Sequence, residues 1–253
     1  MNRARAHDID IAYDITGDGE PTVLVVPQWF LSSRSMRASA LVRRLSEHHR
    51  VVLYDRRGTG ESDKPGPPYT LGRDTRDVGG LVDALGLQDF VVLGHGVRGS
   101  QIALSYAGHF PERVRAVVCI GGTPRWRAGP EWPYGLPDDA WEQAFGALAS
   151  SDGPPTGASI AMQADWDAAG RETALDVLQR TRDEDLRAFL PKVTPPTLVL
   201  HLKGDSLVPF EAARWLAESL PHGTLEVFDA SREIPMHAHE RLGEHIEEWL
   251  ATV

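Results

Sequence analysis

The stretch Val91-Val92-Leu93-Gly94-His95-Gly96-Val97-Arg98-Gly99 decides how this chain folds. The apolar run 90–93 has the length and composition of a buried strand, and just beyond it Ile102, Ala103, Leu104 and Ala107 recur at helical spacing. The glycines between them therefore belong to a tight strand-to-helix turn. Turns of the form G-x-S-x-G lift the central side chain to the start of the following helix, where backbone N–H groups can hold a developing oxyanion. Here the centre is Gly96, which has no side chain to lift.

Working outward, apolar strand-like runs alternate with amphipathic segments. Strands are predicted at 8–13, 22–26, 50–54, 90–93, 114–120, 197–202 and 224–228, and helices at 35–47, 73–85, 98–109, 210–220 and 239–251. This alternation predicts an α/β fold with a mostly parallel, doubly wound sheet and helices on both faces. One stretch breaks it. Between Pro124 and Lys192 stand clusters of Pro, Gly, Ser and Asp with short helical patterns at 138–148, 171–180 and 184–190 and no convincing strand.

Two further motifs join the turn: Asp55-Arg56-Arg57-Gly58-Thr59-Gly60-Glu61-Ser62, and Leu200-His201-Leu202-Lys203-Gly204-Asp205-Ser206-Leu207-Val208-Pro209. With them the chain resembles the α/β-hydrolase fold superfamily, specifically its Gly-His-Ser-x-Gly-Gly branch, with glycine at the nucleophile position. The resemblance implies a core formed by 1–123 and 193–253, with 124–192 inserted as a small helical cap. It also implies a nucleophile, a histidine base, an orienting acid and two backbone donors.

Set against that requirement, the nucleophile is replaced by Gly96. Asp205 stands in the acid loop. The histidine position after the last strand is taken by Glu233, in Asp229-Ala230-Ser231-Arg232-Glu233-Ile234-Pro235, and a longer loop would bring His237 in instead. His95, the turn histidine, is a further candidate for proton transfer, although the resemblance implies a packing role for it. The oxyanion donors implied are the N–H groups of Val97 and Trp29. Gln28 replaces a small glycine beside Trp29, and Arg98 replaces a glycine in the turn, so a carboxamide and a guanidinium become candidate substrate contacts. Trp126, Trp132 and Trp141 are candidate ring contacts from the inserted segment.

The 253 residues are 42% hydrophobic and 25% charged, with a formal net charge of −10. The acidic excess argues against nucleic acid as a partner, since phosphate binding relies on clustered Lys and Arg. The single cysteine, Cys119, lies in an apolar run and reads as a small buried hydrophobe. No metal-ligand spacing and no glycine-rich phosphate loop is evident, so no metal or cofactor is expected. The first residues lack the apolar core of a signal peptide and no membrane span is evident, so a cytoplasmic protein is expected; the oligomeric state is left open.

With nucleophile and base both replaced, the expectation is a non-hydrolytic, cofactor-independent enzyme. It would use acid/base chemistry and enolate stabilisation on a bulky aromatic or polyketide-like substrate, forming or rearranging carbon–carbon bonds in natural-product biosynthesis. Two alternatives stay open: a binding protein without turnover, and an atypical hydrolase in which a carboxylate activates water directly.

Overall fold

The apolar runs pair into one eight-stranded sheet in the computed structural model, which describes residues 1–150, 160–228 and 240–253. The strands are β1 (Asn2–Ala6), β2 (Ile9–Thr16), β3 (Val23–Val26), β4 (Val51–Tyr54), β5 (Phe90–His95), β6 (Val114–Ile120), β7 (Thr197–Leu202) and β8 (Gly223–Phe228), in the order β1-β2-β4-β3-β5-β6-β7-β8. β1, β2 and β4 pair antiparallel, and every later neighbour is parallel.

Because side chains alternate across a strand, each apolar run serves two cores. Leu24, Val26, Val52, Val92 and Val117 pack on one face against α3 (Leu71–Leu85), α4 (Gly96–His109) and α8 (Phe210–Ser219). Val23, Val25, Leu53, Leu93 and Val118 pack on the other against α1 (Ser33–Arg37), α2 (Ala40–Leu45) and α9 (Glu240–Leu250). This two-sided burial is why the strands read as continuous hydrophobic runs. Cys119 lies within β6, and burial pushes its thiol up to about 12, so it carries no thiolate near neutrality.

Three predicted elements differ. The helix expected over 35–47 is broken at Ser39, whose hydroxyl accepts from the Val42 N–H at 3.2 Å and starts α2 afresh. β1 was not predicted, since Arg3 and Arg5 alternate with alanines on a half-exposed edge strand. Between β6 and β7 the chain forms α5 (Asp138–Ser150), α6 (Ile160–Ala169) and α7 (Arg171–Asp183); α6 has no predicted counterpart, and 187–192 is a 3-10 turn where a helix over 184–190 is expected.

The sheet positions the site. Within the parallel part of the sheet the chain starts at β3, moves outward to β4, and then returns past β3 to β5, so the connections on either side of β3 run in opposite directions. In open α/β sheets the crevice beyond the carboxyl ends of strands at such a reversal is where ligands bind.

Candidate active site

A cavity of about 160 Å³ lies beyond the carboxyl ends of four neighbouring parallel strands. Gln28, Trp29, Phe30 and Leu31 follow β3; His95, Gly96 and Val97 belong to the β5–α4 turn; Ile120 and Gly121 close β6; Asp205, Leu207 and Val208 follow β7. Trp126 from the β6–β7 segment completes the wall. Most of this lining is apolar, which suits a small apolar group held against a few directed polar atoms.

The β5–α4 turn keeps the backbone of a nucleophile elbow. Gly96 sits at φ +68°, a left-handed conformation that side chains rarely adopt, and a Cβ on Gly99 would lie 2.5 Å from the Val26 carbonyl oxygen. What is missing is the side chain. A Cβ built on Gly96 would fall 1.0 Å from Gln28 Oε1 and 2.0 Å from its Cδ, so the Gln28 carboxamide fills the volume into which the turn projects its central residue.

Val97 is the second residue of α4, where a helix's first N–H groups have no acceptor within the helix and point outward from its positive end. Trp29 adopts φ +40°. For so bulky a residue this is a strained conformation, of the kind that persists when the surrounding packing over-determines it. Its ring stacks on Trp126 at 5.6 Å, and Phe145 meets it edge-on at 5.7 Å. The turn is closed by the Leu31 N–H, which donates to the Gln28 carbonyl at 2.9 Å.

Asp205 is half-buried in the cavity wall, with Oδ1 accepting from the Leu207 and Val208 N–H groups at 2.8 and 3.1 Å. These two donors fix the carboxylate's orientation. His201, near the end of the same strand, is buried, and desolvation lowers its pKa while Asp205 opposes the shift. His95, expected from the resemblance to pack structurally, lines the cavity.

Several predicted contacts lie elsewhere. Arg98 is fully buried on the far side of the turn: Nε and Nη2 donate to Asp74 Oδ2 at 3.1 and 2.7 Å, Nη2 also donates to the Tyr69 carbonyl at 2.9 Å, and Nη1 lies 3.9 Å from Glu184. A guanidinium taken out of water needs a carboxylate, and Asp74 on α3 supplies it, so Arg98 is an internal ion pair and not a substrate contact. Trp132 turns away from the cavity too, edge-on to Trp215 at 5.0 Å with Nε1 donating to the Arg125 carbonyl. Trp141 packs behind Trp126 at 4.9 Å under the Arg182 guanidinium. Of the three tryptophans expected from the segment, Trp126 lines the cavity. Glu233 and His237 lie outside the described residues.

Missed by sequence reasoning were Phe30, Leu31, Ile120, Gly121, Leu207 and Val208 in the lining. Ile120 and Gly121 end or follow a predicted strand, Leu207 and Val208 stand within the acid motif, and Phe30 and Leu31 lie in the loop after the strand 22–26, which is the signal that would have found them. The Asp55-Arg56-Arg57 motif proves structural: Asp55 accepts from the Ser33 and Glu61 N–H groups at 2.6 and 2.8 Å, and Arg57 binds Asp77 through two bonds of 2.5 and 2.6 Å.

Comparison with known proteins agrees with this architecture. Residues 21–150 match the family described as alpha/beta hydrolase fold. The chain is 28% identical to a protein named as a carbamate hydrolase, RutD, from Azorhizobium caulinodans, with 90% of each chain covered. It is 29% identical to the bifunctional esterase/perhydrolase DCH of Acinetobacter calcoaceticus, covering 86% of this chain and 87% of the other. The esterase EaEST of Exiguobacterium antarcticum superposes with a TM-score of 0.85 at 25% identity, over 98% of both chains. These relatives are enzymes named for hydrolysis. They overturn the expectation of a non-hydrolytic carbon–carbon bond-forming enzyme acting on polyketides in natural-product biosynthesis, and the lyase or cyclase type expected with it. The reason lies in what the absent side chain was taken to mean: Gly96 offers no side-chain nucleophile, yet nearly the whole chain aligns with proteins named as hydrolases and esterases. No described helix is long and apolar enough to cross a membrane. The chain belongs to the α/β-hydrolase fold family.

Proposed function

We propose that this protein is a hydrolase of small acyl substrates, esters or carbamates, in which water attacks directly and no acyl-enzyme forms. The observation that carries this reading is the shared cavity: the oriented Asp205 carboxylate, Val97 and Trp29 line one small apolar space with glycine at position 96. The likeness to named hydrolases and esterases supports it.

The chemistry balances without a covalent step. Water oxygen bonds to the acyl carbon, and its proton passes to the Asp205 carboxylate. Charge gathering on the carbonyl oxygen is held by the Val97 and Trp29 N–H groups. Collapse breaks the bond to the leaving group, which takes the proton back from Asp205. The apolar wall of Trp29, Trp126 and Val208 holds the acyl chain, and the modest volume restricts it to a short one.

The test is hydrolysis of p-nitrophenyl acetate and its longer homologues, together with a serine-directed fluorophosphonate. Slow turnover is expected on the acetate, falling as the chain lengthens and abolished in Asp205→Asn, with no initial burst and no labelling by the fluorophosphonate. Absence of turnover above buffer, or covalent labelling that stops turnover, would overturn the reading.

A further inference from the structure

We infer that Gln28 is the positioning residue for the attacking water, its carboxamide taking over the place of the missing nucleophile. The inference rests on the hydrolytic reading above and adds a role to a residue that no catalytic requirement names.

Three observations lead to it. The elbow backbone is retained although its purpose, presenting a side chain, is gone: Gly96 keeps φ +68° and Gly99 keeps its close approach to Val26. Glycine holds this left-handed conformation without strain, so the turn keeps its geometry with no side chain at its centre. Second, the volume in front of the turn is filled, by Gln28 Oε1 at 1.0 Å from the Cβ position. Third, Gln28 leaves a rigid base: its carbonyl closes a turn with Leu31, and the next residue, at φ +40°, stacks its ring on Trp126 and meets Phe145 edge-on. The half-buried side chain is therefore aimed by its backbone at the cavity.

A carboxamide cannot ionise or form an acyl-enzyme at neutral pH, but its oxygen accepts hydrogen bonds. A water donating to Oε1 stands about 2.8 Å further on. With one O–H engaged by Gln28, the other O–H is left to be taken by Asp205 as the oxygen lone pair bonds to the acyl carbon. Holding the water in attack geometry replaces the entropy advantage that a fixed side-chain nucleophile supplies.

The experiment compares kcat and KM for p-nitrophenyl acetate in the natural protein, Gln28→Leu and Gln28→Glu, with thermal melting as a fold check. Gln28→Leu keeps the shape and loses the acceptor; a fall in kcat of about 10–100-fold with KM within about threefold is expected, the range associated with misplacing one reacting group. Gln28→Glu keeps an acceptor, so its kcat should recover to within about fivefold, with a new dependence on the pH at which the introduced carboxyl ionises. If Gln28→Leu does not fold, Gln28→Asn, which withdraws the same carboxamide by one methylene, should show the same fall in kcat. Normal kcat in folded Gln28→Leu or Gln28→Asn, with the natural protein active, overturns the water-holding role alone. No turnover in the natural protein overturns the hydrolytic reading and this inference with it.

Discussion

The two faces of the β5–α4 turn meet their neighbours in opposite ways. On the cavity face a side chain is absent at Gly96, and a neutral neighbour, Gln28, fills the volume. On the back face the Arg98 side chain is fully buried, and charge has to be met with charge: Asp74 binds it at 2.7 Å, while Glu184, from the end of α7, stands at 3.9 Å. The difference teaches how the two arrangements constrain the protein. A vacated volume is satisfied by the end of a flexible neutral chain. A buried guanidinium is satisfied only by a fixed carboxylate, whose removal leaves an uncompensated ion in the interior.

The comparison breaks most decisively at Asp74. Asp74→Asn strands Arg98 and also Arg56, a buried guanidinium 3.8 Å from the same carboxylate. A loss of about 3–5 kcal/mol is expected in urea unfolding, and a loss below about 1 kcal/mol would show that the back face is not held by charge. Arg98→Gly removes the guanidinium and leaves Asp74 to Arg56, so a smaller loss is expected, about 1–3 kcal/mol, from the cavity left behind. If it exceeded the Asp74→Asn loss, the packing of Arg98 would matter more than its pairing.

The cavity face should be softer. Gly96→Ala places a side chain at φ +68° and pushes Gln28 aside, costing about 1–2 kcal/mol, nearly all from the left-handed backbone. A double-mutant cycle with Gln28→Ala separates the two causes: a small coupling energy is expected, because the displaced atoms are the far end of a flexible chain. A coupling of several kcal/mol would make Gln28 a rigid wedge.

The smallest effect concerns pH. Burial lowers the His201 pKa below its ordinary 6.5, so the unfolded chain binds a proton there that the folded chain does not. Stability from this group is complete above about 6.5 and is lost as pH falls through that value toward the lowered one. His201→Gln should flatten the decline between pH 7 and 5 in urea midpoints; an unchanged decline would place its source in another group.

Much of the fold was legible in local patterns. Runs such as 90–93 and 114–120, flanked by glycines and amphipathic segments, could bury themselves only as parallel strands covered on both faces, and they do so. The turn and the acid loop placed Gly96, Val97 and Asp205 at strand ends, the resemblance added Trp29 after the strand 22–26, and these share one cavity. Less legible was the β6–β7 segment, where Trp126, Trp132 and Trp141 look alike in sequence and one of them reaches the cavity. Ring burial is set by packing against partners distant in the chain, which no periodicity encodes.

What the amino-acid sequence determined by itself was the sheet, the turn and the glycine at its centre, because strand and helix periodicity and glycine punctuation are local properties of neighbouring residues. Tertiary structure alone decided that Gln28 stands where a side chain at Gly96 would have been and that Arg98 faces Asp74 rather than substrate. Both facts join segments brought together only when the strands align, and it is at such junctions that a volume is filled or a buried charge is met.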